Sequence, residues 1–350
     1  MDNYSFKLRI RNKLLSVHSS KSVNESQIVI RCPFCGDSVK NSTSAHFFIK
    51  IELKLNTPII FHCFLCDISG VMTPSILRTF RINDLQINSK LLSYNKETIG
   101  KINKKLGIKN NIFDFKIPMS LLKELIKEKK YYIENRLGIN ITEEELIELK
   151  VVFNFGEFLR HNNIKTLTTN KEQASILHNN YVGFLSAKNE HIVFRDISGK
   201  YKRYFKYSIY KNLDNTRKFY SIPNSIDLLL PKTITINIAE GVFDILGLYY
   251  NIFDKEKENT IYTAVCGCGF TNVLKFYIQS GIIGNVDINI FSDKDKKPWF
   301  YKNLFEELNP FVNKIKLYYN SLGKDYGVKK NEINLIKRTK DVLKYIKGGV

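Results

Sequence analysis

Two aspartates one residue apart close an apolar run in NIFSDKDKKPWF, residues 289–300. At a strand end, Asp293 and Asp295 can lean toward one point, and carboxylates that close repel unless a cation lies between them. The interleaved lysines are one source of that charge, as in a solvated loop, and a metal ion is the other. Upstream, Glu240 ends the run TITINIA just before Gly241, Asp244 follows one helical turn later, and Asp325 lies in LGKDYGV. Ligands of open parallel sheets bind beyond the carboxyl ends of the strands, where these residues fall. Five carboxylates converging in a chain of formal charge +20 call for cations. Oxygen-only ligands select Mg²⁺ or Mn²⁺, which leaves the lysines for phosphate.

A second set is made of sulfur. RCPFCGD supplies Cys32 and Cys35, and FHCFLCDISG supplies Cys63 and Cys66, with 27 residues between the pairs. Each C-x-x-C places two thiolates on one side of a tight knuckle, as a tetrahedral zinc ion requires. The intervening HFFIKIELKLNTPIIFH reads as a hairpin within a three-stranded ribbon. So small a segment is expected to draw most of its folding energy from one structural zinc, about 10–16 kcal/mol in finger peptides. His46 and His62 are left out of the ligand set. Cys266 and Cys268 in AVCGCGF have the wrong spacing and read as small residues of a turn.

A third set is basic and aromatic. RDISGKYKRYFKYSIYKNLDNTRKFY, residues 195–220, carries eight Lys or Arg against two Asp, interleaved with Tyr and Phe. Cationic side chains hold phosphates and aromatic faces stack bases. Arg195, Lys202, Arg203 and Lys206 are the candidates for touching template or incoming nucleotide, while a solvated strand pair with packed tyrosines is the plainer reading. The whole chain agrees in sign: 54 Lys and Arg against 34 Asp and Glu favour a polyanionic partner, nucleic acid before an anionic membrane. No apolar span suits a membrane helix and MDNYSFKLRIRNKLL lacks the features of a signal peptide, so a cytoplasmic chain with reduced cysteines is expected.

The elements that must position these groups follow from periodicity. Residues 1–80 form the expected zinc-ribbon unit. Residues 81–115, rich in Asn and Lys with few apolar anchors, read as a linker, helical in part. Residues 116–230 read as a mixed α+β basic subdomain, with helices in SLLKELIKEKKYYIENR and NITEEELIELK and strands in YVGFLS and HIVFRD around an ISGK turn. From 231 to 330 strand-like and helical runs alternate in a β-α-β-α-β-α-β order, the pattern of a parallel α/β sheet. Residues 331–350 are expected as a short helical tail. The fold class is thus α/β, with a small β unit in front.

AEGVFDILGL followed by FSDKDK resembles the Glu and D-x-D signatures of a TOPRIM domain, and CPFCGD … FHCFLCDISG resembles the zinc ribbon of DnaG-type primases. The order of parts agrees over most of the chain, and the Asn, Ile and Lys bias is similar to that of bacteriophage primases. The resemblance implies that Glu240 is a catalytic acid and Asp293 and Asp295 the metal-binding pair, with Asp244 and Asp325 as further acids toward Mg²⁺ or Mn²⁺. It implies RNA primer synthesis on a single-stranded DNA template from NTPs, by a monomer working with a separate replicative helicase. Two departures are the Lys-Lys-Pro after Asp295 and CGCG in place of a Gly-Thr turn. No G-x-x-x-x-G-K-[ST] loop occurs, and the residues past 330 leave no room for a helicase-binding domain, so a fused motor is not expected. The rival readings are a RecR-like recombination mediator that clamps DNA without chemistry, and a TOPRIM nuclease or topoisomerase fragment.

Overall fold

In the computed structural model, the described residues are 2–37, 41, 43–54, 56–65, 69–105, 123–164, 171–187, 189–200, 204–209, 218–222, 233–256, 258–279, 286–308 and 312–346. The chain opens with helix α1 (Asn3–Leu15), capped by the Asp2 carboxylate, which accepts from the Ser5 N–H at 2.9 Å. Phe6, Ile10 and Leu14, spaced by four, form its buried face. Beneath that face lies an antiparallel meander of β1 (Lys21–Asn24), β2 (Gln27–Ile30), β3 (Phe47–Lys50), β4 (Ile60–Cys63) and β5 (Ser69–Val71). Alternation drives it: Ile28, Ile30, Phe47, Ile49, Phe61 and Cys63 point into one core, and Phe47 and Phe61 stack with centroids 4.9 Å apart. The expected hairpin is β3–β4, within five strands rather than three.

Two sequence expectations change here. Helix α2 (Pro74–Thr79) is followed by α3 (Leu85–Lys105), 21 residues long, over most of the stretch expected as a linker. Ile87, Leu91 and Tyr94 of α3 are buried in the ribbon's core, and the Tyr94 hydroxyl donates to the Thr57 carbonyl at 2.8 Å. Ile87, Leu91 and Tyr94 recur at i, i+4 and i+7, the apolar stripe of an amphipathic helix, and meet the complementary face of the sheet. With α1 and α3 on it, the N-terminal unit also has a core well beyond that of a zinc-dependent finger. Residues 106–115 of the expected linker lie outside the described residues.

The middle of the chain holds α4 (Lys123–Leu137), α5 (Glu143–Glu148), β6 (Val151–Val152), α6 (Phe155–His161), α7 (Lys171–Asn180), β7 (Tyr181–Leu185), β8 (His191–Asp196) and β9 (Tyr204–Ser208). Thr142 and Glu145 form a reciprocal capping box at the start of α5. Strands β6-β7-β8-β9 make an antiparallel sheet. Lys129 of α4 is fully buried and donates to the carbonyls of Phe153 at 2.5 Å and His178 at 2.6 Å.

The third sheet has the order β10 (Tyr220–Ser221), β12 (Thr260–Ala264), β11 (Ile234–Ala239), β13 (Val286–Ser292), β14 (Lys314–Asn320), β15 (Leu335–Lys337). Its four central strands are parallel, with Ile238 opposite Thr263 on one side and Ile290 on the other, and both edges are antiparallel. The crossovers carry α8 (Val242–Gly247, continued by a π-type turn), α9 (Phe270–Gln279) and α10 (Lys302–Leu308). In β11 and β13 the polar residues Thr235, Asn237, Asp287 and Asn289 alternate with apolar ones, and every position of both strands is buried or partly buried. Residues 331–346, expected as a tail, add β15 to the sheet edge and then α11 (Thr339–Leu343). Among the described residues no helix is long and apolar enough to cross a membrane.

Candidate active site and thiol cluster

The chain runs from β11 to β12 on one side of the sheet and then returns to β13 on the other. The strand order therefore reverses between β11 and β13, and a crevice opens beyond their carboxyl ends. Glu240 directly follows β11 and Asp293 directly follows β13. Both line a cleft of about 900 Å³ with Asp244, Asp325, Arg136, Arg195 and Lys324. Sequence reasoning had not singled out Arg136. It reaches in from α4, donates to the Gly327 carbonyl at 2.8 Å and stacks its guanidinium on Phe243 at 4.6 Å. Its only sequence signal was a cation in the last turn of a helix.

Each carboxylate has a distinct environment. Asp293 is pushed up to about 7, by burial first and then by the charges of Asp244, Glu240 and Asp295, with Lys324 acting in the opposite direction. Glu240 faces the Lys296 ammonium at 3.8 Å. Asp295 is not part of the cleft wall and pairs at 3.1 Å with Lys324, both side chains being largely exposed. Asp325 stands 4.0 Å from Arg136.

Asp244 differs from its expected role. Buried at the first turn of α8, it accepts from the Gly241 N–H at 2.9 Å through Oδ2, and from the N–H groups of Tyr326 at 3.1 Å and Gly327 at 3.2 Å through Oδ1. Burial and the neighbouring Asp325 charge raise it to about 6, against the lowering effect of those N–H donors. Both oxygens are thus engaged with backbone, and the residue pins the loop after β14 to α8. The pin works at close range: a Cβ on Gly247 would stand 2.0 Å from the Tyr326 carbonyl oxygen, and one on Gly327 would stand 2.7 Å from Phe243 Cβ. Of the five expected acids, Glu240, Asp244, Asp293 and Asp325 line one cleft and Asp295 does not. Among the described residues, the only set of three or more His, Cys, Asp or Glu ligand atoms within 4.8 Å of one another is made of thiols.

That thiol set is Cys32, Cys35 and Cys63, which could hold a metal ion. The Sγ atoms of Cys35 and Cys63 are 3.9 Å apart. The Phe34 N–H donates to Cys32 Sγ at 3.4 Å, as a knuckle around a thiolate does. Asp37 accepts from the Cys32 N–H at 2.5 Å and holds His46 Nδ1 at 2.7 Å, so His46 supports the knuckle rather than joining the thiols. Cys66 lies outside the described residues.

Of the basic candidates, Arg195 ends in the cleft wall. Lys206 lies on β9, opposite Val193, and Lys202 and Arg203 lie outside the described residues. Cys266 and Cys268 belong to a turn whose Cys266 N–H donates to the Glu240 carbonyl at 2.9 Å, fastening the catalytic candidate's backbone. No family model matches this sequence, and no curated protein matches it either.

Proposed function

We propose that the chain is a DNA-directed RNA polymerase of the DnaG type, a primase making short RNA primers on single-stranded DNA. The observation that carries the reading is the placement of Glu240 and Asp293 at the ends of adjacent parallel strands, either side of the point where the strand order reverses. A thiol cluster in an N-terminal antiparallel ribbon supports it, zinc being the proposed ion and Cys66 the proposed fourth ligand.

Whether the acids suit a divalent cation can be judged from Asp293. Burial first, and then the charges of Asp244, Glu240 and Asp295, hold its proton, and a cation would offset those charges. Glu240, Asp293 and Asp295 are the residues that would hold Mg²⁺ or Mn²⁺, with Asp325 at the edge of the set. Such an ion lowers the pKa of an attacking 3′-hydroxyl and neutralises phosphate charge. Asp244 serves as a positioning residue through the loop it pins. Lys296 and Lys324 exchange their carboxylate partners for phosphate oxygens, and Arg136 and Arg195 present guanidinium groups to the triphosphate or the template backbone. The thiol-bearing ribbon grips the template.

One observation favours a second reading. Among the described residues the acids do not make a set of three ligand atoms within 4.8 Å of one another, as a non-catalytic clamp of the recombination-mediator type would allow. Labelled NTPs, Mg²⁺ or Mn²⁺ and a library of single-stranded templates distinguish the two. RNA products of two or more nucleotides establish the polymerase, DNA binding without products establishes the clamp, and shortened templates establish a nuclease.

A further inference from the structure

The turn between Asp295 and α10 lies at the cleft mouth. Residues 294–302 read KDKKPWFYK, four lysines against one aspartate with three consecutive aromatics. Pro298–Tyr301 forms a single 3₁₀ turn, and the three rings are treated differently. Tyr301 is buried at 1% exposure and donates to Ser292 Oγ at 2.5 Å, so it anchors the turn to the end of β13. Trp299 and Phe300 remain 57% and 52% exposed. Anchoring therefore requires only the third ring, and the first two stay in water where burial gives them nothing. Phe300 also lines the cleft, and the Lys296 ammonium lies 5.2 Å from its centroid while facing Glu240. Trp299 stacks on no other ring among the described residues.

Exposed flat rings among lysines, beside a cleft with cationic side chains, match an occupant with a π-face and a phosphate on each unit. An anionic protein would use the lysines but leave the indole wet. The geometry points to Trp299 and Phe300 as a stacking lip for the bases of single-stranded nucleic acid at the cleft mouth. This rests on the nucleic-acid reading of the cleft but not on catalysis. It adds a contact outside the acidic set.

Trp299 is the only tryptophan in the chain, so its fluorescence reports on this lip alone. The full chain is titrated, without divalent cation, with a thymidine homopolymer of about 16 nucleotides, the upper site size of common single-strand modules. A parallel arm uses dTTP. Saturable quenching by the homopolymer, with none by dTTP over the same range of nucleotide concentration, is the expected result. By fluorescence anisotropy of a labelled homopolymer, Trp299→Ala and Phe300→Ala each weaken binding about tenfold through the lost base stacking, whereas Trp299→Phe retains it. The lip is overturned if the homopolymer binds without quenching and both alanine variants keep wild-type affinity. Equal quenching by dTTP overturns the strand assignment in favour of a mononucleotide pocket. Failure to make primers with quenching intact rejects the polymerase and leaves the lip, and primers made with Trp299 silent reject the lip alone.

Discussion

The carboxylate of Asp244 accepts a hydrogen bond from the backbone N–H of Tyr326, 82 residues later in the chain, at 3.1 Å. The bond ties the first turn after Glu240 to the loop that carries Asp325. It gives one acidic residue of the cleft a structural role and leaves the others for ligand.

Asp244→Ala deprives three buried N–H groups, those of Gly241, Tyr326 and Gly327, of their acceptor. At about 1–3 kcal/mol per orphaned buried donor, the loss is about 3 kcal/mol or more. Urea denaturation of the variant beside wild type reads it as a lower midpoint at unchanged slope. A midpoint within error of wild type would remove Asp244 from the loop-pinning role.

Gly247→Ala tests the same contact from the other side. The added methyl meets the Tyr326 carbonyl oxygen at 2.0 Å, a backbone atom that cannot swing away. Overpacking of this kind costs about 1–3 kcal/mol and displaces the loop bearing Asp325. Thermal unfolding should show a clearly lower Tm, and an unshifted Tm would mean that α8 and the loop can separate freely.

The parallel sheet was legible from its alternation of strand-like and helical runs, and the positions of Glu240 and Asp293 from the acids that directly follow TITINIA and VDINIFS. Helix α5 was legible from its Thr142 and Glu145 cap. Helix α3 was read as a linker from its Asn and Lys content, although Ile87, Leu91 and Tyr94 at i, i+4 and i+7 mark the stripe that it buries in the ribbon's core. The Tyr326 and Gly327 N–H groups that donate to Asp244, and the Gly327 carbonyl that accepts from Arg136, are backbone atoms far along the chain, invisible to spacing arguments. The same distance hid the requirement for Gly247 and Gly327.

The buried ammonium of Lys129 gives a pH dependence. Burial depresses it to about 7, against the ordinary value of 10.5, with the Glu128 charge acting weakly the other way. Between about pH 7 and about pH 10 the unfolded chain holds a proton that the folded chain has released, so the contribution of this group to stability rises with pH. Lys129→Met should flatten that rise in denaturation curves taken across the window. A variant curve parallel to wild type would show that the group stays charged in its pocket.

The thiol cluster predicts about one zinc per chain by elemental analysis, lost in Cys32→Ser and Cys63→Ser. Because α1, α3 and the ribbon share a core of Phe6, Ile10, Phe47 and Leu91, these variants should keep most helical circular dichroism while losing the metal. Full zinc retention in Cys63→Ser would remove that cysteine from the ligand set.

Primer synthesis by Asp293→Asn tests the central claim most directly. The substitution keeps side-chain size and removes charge at the most electrostatically loaded group of the cleft, so folding and single-stranded DNA binding should survive. Dinucleotide formation from NTPs in Mg²⁺ or Mn²⁺ should fall by about 10²-fold or more, since one group stabilising transition-state charge is worth several kcal/mol. Wild-type product with the variant near background, at equal circular dichroism and equal DNA affinity, is the result the account predicts. Wild-type rates in Asp293→Asn, or no RNA product from the wild-type protein on any template, would contradict it.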